Sequence, residues 1–196
     1  MKIFVVGMPG SGRTTVAKAL CQMENYQYID ASSWVKSTFR EQRPGEHPQQ
    51  YHDDYHTWFT LRLKFHPKMI ADNVCEAMGA YDISKPNRFV IDGLTSPRDF
   101  AQLFDYNKDV IIFLNRTNNN AEYKDYENIG VSVMRDYCFW LSSASLLNRS
   151  RWLECNYQIP GESSDFVKTL GAQNTIFIVK SIDRAISQLT ESLKVL

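Results

Sequence analysis

Residues 7 to 15 read Gly-Met-Pro-Gly-Ser-Gly-Arg-Thr-Thr and directly follow the apolar run Ile3-Phe4-Val5-Val6. Glycines at 7, 10 and 12 permit backbone dihedrals that other residues avoid and let an anion approach the main chain closely. A strand, a glycine-rich turn and a helix in succession aim backbone N–H groups and the positive end of a helix dipole at one point. That is chemistry for holding phosphate, and it nominates Pro9, Gly10, Ser11, Gly12, Arg13, Thr14 and Thr15. In the pattern G-x-x-x-x-G-K-[ST] the lysine reaches the β- and γ-phosphates and the hydroxyl residue ligates Mg²⁺. Thr14 stands at the hydroxyl position, but Arg13 replaces the lysine. Arginine keeps the charge on a longer, planar fork that grips phosphate bidentately. Binding should survive this change more readily than phosphoryl transfer, which depends on where the γ-phosphoryl group is placed.

A carboxylate completes the constellation. The apolar stretch Phe89-Val90-Ile91 ends in Asp92-Gly93. An acidic residue at the C-terminal end of a strand beside the phosphate loop can hold Mg²⁺ through water; the bland reading is a carboxylate capping its own turn.

The elements that must position these residues follow from the hydropathy pattern. Lys2–Val6, 26–29, 88–91, 110–114 and 174–179 read as short apolar strands. Thr14–Met23 has helical spacing at Val16, Ala17, Leu20 and Cys21. Asp30 is placed to cap a helix over 31–40. The segment Arg43–Gln50 reads as a loop, and a long helical stretch runs from Asp53 or Asp54 to about Met78, kinked or split by Pro67. Helices are also expected over 97–104 and 182–193; 118–120 reads as a turn, and 121–155 as mostly helical. Alternating strands and helices predict an α/β fold, a three-layer sandwich with a five-stranded parallel sheet. The chain reads as a single domain, with excursions at about 31–80 and about 117–160.

The loop Gly7, Pro9, Gly10, Ser11, Gly12 and Thr15 resembles that of adenylate kinases and related P-loop nucleoside monophosphate kinases, G-x-P-G-S-G-x-x-T. The stretch Asp92-Gly93-Leu94-Thr95-Ser96-Pro97-Arg98 is similar to that family's D-G-F-P-R, with Pro-Arg two residues late. It also resembles the corresponding region of phage deoxynucleoside monophosphate kinases and dephospho-coenzyme A kinases. The resemblance implies ATP and Mg²⁺ as cofactors, an acceptor-binding excursion near 31–80 and a lid near 117–160. It assigns Arg13, Asp92, Arg98 and Arg116 to catalysis, and Thr14 and Asp92 to the metal. Arg98 would also contact the acceptor. The family's acceptor motif T-G-D-x-x-R is absent: the chain reads Ala31-Ser32-Ser33-Trp34-Val35-Lys36, leaving Lys36 and Arg40 as substitute cations or as plain exposed ones. Arg149 and Arg151 are further candidates for lid arginines, and Arg135 lies in the same region.

The 196 residues contain 22 Lys+Arg and 22 Asp+Glu, so no net basic field exists for general nucleic-acid binding. With 43% hydrophobic and 22% charged residues the composition is globular. Cys21, Cys75, Cys138 and Cys155 match neither a zinc spacing nor a C-x-x-C pair and read as reduced thiols. No apolar stretch suggests a leader or a membrane span, so the expectation is a cytoplasmic protein (host cytoplasm if viral) acting as a monomer or homodimer. His52 and His56 lie four apart, but Asp53 and Asp54 between them fit a solvated helix start better than a metal pair. Tyr51, Tyr55, Trp58, Phe59 and Phe65 read as core more than as a base-stacking platform, with Arg62 one turn after Trp58 as a candidate acceptor contact.

The leading expectation is γ-phosphoryl transfer from a nucleoside triphosphate to a nucleoside monophosphate, possibly deoxy, or a similar small phosphorylated acceptor. The alternatives are a nucleotide-binding regulatory or assembly protein with a degenerate site, and a slow NTPase whose acceptor is water.

Overall fold

The computed structural model describes residues 1–7, 10–46, 52–80, 87–94, 97–117, 151–158, 166–170, 174–179 and 181–195. In chain order the elements are β1 (Lys2–Gly7), α1 (Arg13–Glu24), β2 (Gln27–Asp30), α2 (Ser33–Gln42), α3 (His52–Phe65), α4 (Met69–Ala80), β3 (Phe89–Asp92), α5 (Pro97–Leu103), β4 (Val110–Thr117), β5 (Arg151–Gln158), β6 (Phe166–Leu170), β7 (Asn174–Val179) and α6 (Ile182–Val195).

Period-two alternation in β1 explains the layering. Ile3 and Val5 face one side of the sheet, where Val16, Ala17 and Leu20 of α1 and Ala185, Leu189 and Leu193 of α6 cover them. Phe4 and Val6 face the other side, beneath α2, α4 and α5. Phe4 is fully buried and meets Phe100 and Phe104 edge-on at 5.2 and 5.5 Å. Because both faces are covered, β1, β3 and β4 can carry unbroken apolar runs, at 3–6, 89–91 and 110–114.

The sheet order is β2-β3-β1-β4-β5-β7-β6. All five strands expected from the sequence are present and mutually parallel in direction. Two more extend the sheet. β5 inserts between β4 and β7, parallel to both, and β6 runs antiparallel along the outer edge of β7. The expectation of helix up to Cys155 therefore fails over residues 151–155, which open β5. The remainder of that stretch, 118–150, lies outside the described residues.

Boundaries differ in two informative places. The long helical stretch is two helices, α3 and α4, separated around Pro67 as the missing proline N–H requires. α2 starts at Ser33 rather than residue 31, because Asp30 does not cap it: its Oδ1 accepts from Ser32 N at 2.9 Å and Ser32 Oγ at 2.7 Å, closing a tight turn before the helix. Among the described residues no helix is long and apolar enough to cross a membrane.

Candidate functional site

The chain runs from β1 out to β2, returns through β3 between them, and then crosses to β4 on the other side of β1. The carboxyl ends of β1 and its neighbours thus form a switch point, where open α/β sheets place ligands. Gly7 ends β1 there. A Cβ on Gly7 would collide with the Leu114 carbonyl oxygen and lie 2.6 Å from Ser11 Oγ, so only glycine lets β4 and the loop close on this point. Gly10 and Gly12 have φ of 77° and 79°, the left-handed region that glycine tolerates without strain. α1 then begins at Arg13 with no side-chain cap and no acidic residue in its first turn. The positive end of the α1 dipole is left uncompensated by the helix's own side chains. Met8 and Pro9 lie outside the described residues.

Asp92 comes to the same edge because β3 pairs with β1, opposing Val5 to Asp92. Its carboxylate is buried, at 3% exposure. Thr14 Oγ1 donates to Asp92 Oδ2 at 2.7 Å, and the Tyr28 hydroxyl donates to the same oxygen at 3.4 Å. Arg13 Nε lies 3.9 Å from Asp92 Oδ1, a charge contact without a hydrogen bond. Asp92 Oδ1 and Arg13 Nη1 are both buried and have no hydrogen-bond partner among the described residues. Buried charged groups normally satisfy their hydrogen-bonding capacity. Here the two are adjacent and leave part of it unused.

Gly93 explains why the carboxylate is followed by glycine. Its φ is 84°, and a Cβ would sit 2.9 Å from Asp30 Oδ1 and 3.2 Å from Ser32 N. The turn after β2 packs against Gly93 itself, and Ala31 N donates to the Asp92 carbonyl at 2.8 Å. Tyr28 was not singled out by sequence reasoning. The available signal was period two in β2, which turns Tyr28 toward the α1 side and Ile29 to the opposite face. Burial, then the negative charges of Asp92 and Asp30, push the Tyr28 hydroxyl well above the ordinary phenol range, so it stays protonated and able to donate.

The remaining candidates do not gather around this trio. Lys36 and Arg40 are exposed on α2, beside its buried residues Val35 and Phe39. Arg62 is half-buried over the Trp58 ring at 5.5 Å. Arg98 is exposed on α5. Arg116 is the second-last residue of β4, past Leu114, which pairs with Gly7, so its backbone is at the carboxyl edge; its side chain lies outside the described residues. Arg151 opens β5 opposite Val110, at the amino edge of the parallel strands, remote from the loop; that position removes it as a lid arginine. Arg135 and Arg149 lie outside the described residues. Thr15 is exposed in the first turn of α1.

Tyr55, Trp58 and Phe59 pack against the core, with Phe39 edge-on to Tyr55 and Trp58 at 5.2 and 5.4 Å. Phe65 departs from that grouping and is 73% exposed. His52 lies in α3 with the exposed Asp53 and Asp54 in the first turn; the side chains of both histidines lie outside the described residues. Among the described residues no three His, Cys, Asp or Glu side chains form a metal cluster.

A separate pocket of about 260 Å³ lies on the flank of β2, bounded by Ser33 and Trp34 of α2, Asp30, and Asn73, Glu76 and Ala77 of α4. The charged residues of its lining, Asp30 and Glu76, are both acidic.

No family model and no curated protein matches the chain. Similar solved structures include shikimate kinases from Acinetobacter baumannii in complex with shikimate (12% identity, 98% of this chain and 89% of the other, TM-score 0.47). Those from Bacteroides thetaiotaomicron (15% identity, 99% and 98%, TM-score 0.49) and Aquifex aeolicus (13% identity, 99% and 96%, TM-score 0.48) are also similar.

Proposed function

We propose that the chain binds a nucleoside triphosphate, ATP, at its glycine-rich loop and transfers the γ-phosphoryl group to a nucleoside monophosphate or similar small phosphorylated acceptor. The observation that carries this reading is the Thr14 hydroxyl on the buried Asp92 carboxylate at 2.7 Å, directly under a strand–glycine turn–helix. Hydroxyl and carboxylate are oxygen donors of the kind Mg²⁺ takes, and Asp92 Oδ1 has a lone-pair face without a hydrogen bond. Thr14 and Asp92 would hold the ion, which when bound draws charge from the phosphate oxygens.

The chain's own contribution is positioning and charge. Backbone N–H groups at Gly10, Gly12 and the start of α1 receive the phosphates, and Arg13 supplies a fixed positive charge beside them. Gly93 holds the turn before α2 against the site. Arg116, at the carboxyl edge, and Arg98 are assigned to neutralising charge on the transferred group. Lys36, Arg40 and Arg62 are assigned to the acceptor.

A second reading keeps the nucleotide and drops the turnover: a nucleotide-binding regulatory protein. The Arg13–Asp92 contact at 3.9 Å favours it, because the guanidinium occupies ground next to the carboxylate that the ion would use. The deciding assay is ADP formation from Mg-ATP across ribo- and deoxyribonucleoside monophosphates, with Arg13→Lys in parallel. Acceptor-dependent ADP from the native chain establishes the transferase. ATP binding with turnover only in Arg13→Lys establishes the second reading. Absence of ATP binding removes both.

A further inference from the structure

A nucleotide polyphosphate seated over a buried carboxylate needs a cation between them, since two negative groups at contact distance repel strongly in a low-dielectric site. In sites of this kind a divalent ion ordinarily supplies that charge. This chain already carries one. Arg13 presents Nε toward Asp92 Oδ1 at 3.9 Å, while its Nη1 is buried and donates to none of the described residues. One face of the guanidinium thus answers the carboxylate and another donor is left over. Lysine cannot divide itself this way, because its whole charge and all three donors sit on one atom. The Arg13 side chain is 18% exposed, so the arrangement is shielded from solvent and weakly screened by salt.

The geometry points to Arg13 as a built-in counter-ion to Asp92 that lets the loop bind a nucleoside triphosphate without a divalent cation. The metal is then needed for phosphoryl transfer but not for binding. This rests on the nucleotide-binding reading above and deepens it. Nη1 donates to a phosphate oxygen while Nε stays beside Asp92, so the fork bridges the carboxylate and the anion. Asp92 and Thr14 would hold the ion that phosphoryl transfer needs, and Arg13 would supply the charge beside Asp92 without it.

The test is calorimetric titration of the full chain with ATP in excess Mg²⁺ and again in excess EDTA. The expected result is a Kd for the native chain that differs by less than about threefold between the two conditions. Arg13→Gln should lose about tenfold or more in EDTA and much less in Mg²⁺. Adding Asp92→Asn to Arg13→Gln should restore part of the EDTA affinity, because the charge that Arg13 answered is gone while its phosphate contact stays lost. A double variant that stays as weak in EDTA as Arg13→Gln overturns the counter-ion role. So does a native chain that binds ATP in Mg²⁺ but loses about tenfold or more in EDTA; that result leaves the nucleotide reading standing. ATP binding in neither condition overturns the nucleotide reading and the inference with it.

Discussion

Gly93→Ala isolates the link between Asp92 and the turn that precedes α2. The native φ of 84° is strained for alanine, which costs about 1–2 kcal/mol. The new Cβ would also stand 2.9 Å from Asp30 Oδ1 and 3.2 Å from both Ser32 N and Ser32 Oγ, so the turn must move. Two hydrogen bonds converge on Asp30 Oδ1 there, at 2.9 and 2.7 Å. Weakening both adds about 1–2 kcal/mol, since each partly buried bond contributes on the order of 1 kcal/mol. The total is about 3 kcal/mol, roughly 9 °C in Tm for a chain of this size. Gly10→Ala is the matched control: its φ is 77°, but nothing lies within 4 Å of its Cβ, so only the backbone cost applies. Equilibrium urea unfolding of both variants should show Gly93→Ala the less stable by about 1–2 kcal/mol. Equal destabilisation of the two would refute the claim that the Asp30–Ser32 turn packs on Gly93.

Three further outcomes are expected. Asp109 is 1% exposed and accepts from Lys2 N at 2.7 Å and Asp105 N at 2.8 Å, with Lys2 Nζ at 2.9 Å. Asp109→Ala strands all three donors and should cost about 3 kcal/mol in urea unfolding, at the low end for a broken buried pair because Lys2 is partly exposed. Phe39→Ala removes a fully buried ring that meets Tyr55 and Trp58 edge-on, and should cost about 3–5 kcal/mol with a loss of near-ultraviolet dichroism from Trp58. Burial pushes the Cys21 thiol up to about 11 and the Cys155 thiol up to about 12, whereas Cys75 is exposed. At pH 8 the half-buried Cys21 and the buried Cys155 therefore hold roughly a hundredfold less thiolate or lower than an ordinary thiol, and peptide mapping after brief alkylation should find Cys75 labelled well before Cys21 and Cys155. The sign for stability follows: the unfolded state releases these protons first, so stability should fall as pH rises past the ordinary thiol value of 9.0.

What could be read from the chain without coordinates depended on how local its cause was. β1, β3 and β4 contain continuous apolar runs because helices cover both faces, and such runs announce themselves. β5 does not: Arg151-Trp-Leu-Glu-Cys-Asn-Tyr-Gln mixes polar and apolar positions, and pairing on both sides by β4 and β7 holds it in the sheet. Glu154 and Asn156, two apart on one face, bond each other at 3.0 Å, which makes those polar positions tolerable within the sheet. Nothing in a helical-spacing reading of 121–155 captures a tertiary pairing of that sort. The loop and Asp92 were legible for the opposite reason. Their geometry is dictated by glycine dihedrals and strand ends, both written in short stretches. The acceptor contacts depend on where long, flexible cations come to rest, and Lys36, Arg40 and Arg98 sit on exposed helix faces that sequence spacing alone does not aim.

The parallel sheet imposes a further condition on any charge-neutralising arginine. Gly7, Asp30, Asp92 and Thr117 all end strands that run the same way, so the phosphate loop, the turn before α2 and the stretch after β4 share one edge. Residues at strand starts are excluded by length alone. Arg151 pairs with Val110 and Tyr157 with Arg116, so six residues, roughly 20 Å at the usual rise, separate Arg151 from the level of Arg116. Arg116 is at the right level, and β5 pairs with β4 there, which fixes its backbone along one side rather than leaving it on a free loop. An arginine carried on a paired strand can be aimed; one on an unpaired excursion must first be ordered, at an entropic cost of about 1–2 kcal/mol per residue. On the proposed function, in which Arg116 neutralises charge on the transferred group and not on the resting anion, Arg116→Ala should lower turnover by more than tenfold while leaving ATP affinity in EDTA unchanged. Equal losses in affinity and turnover would place Arg116 on the bound nucleotide instead.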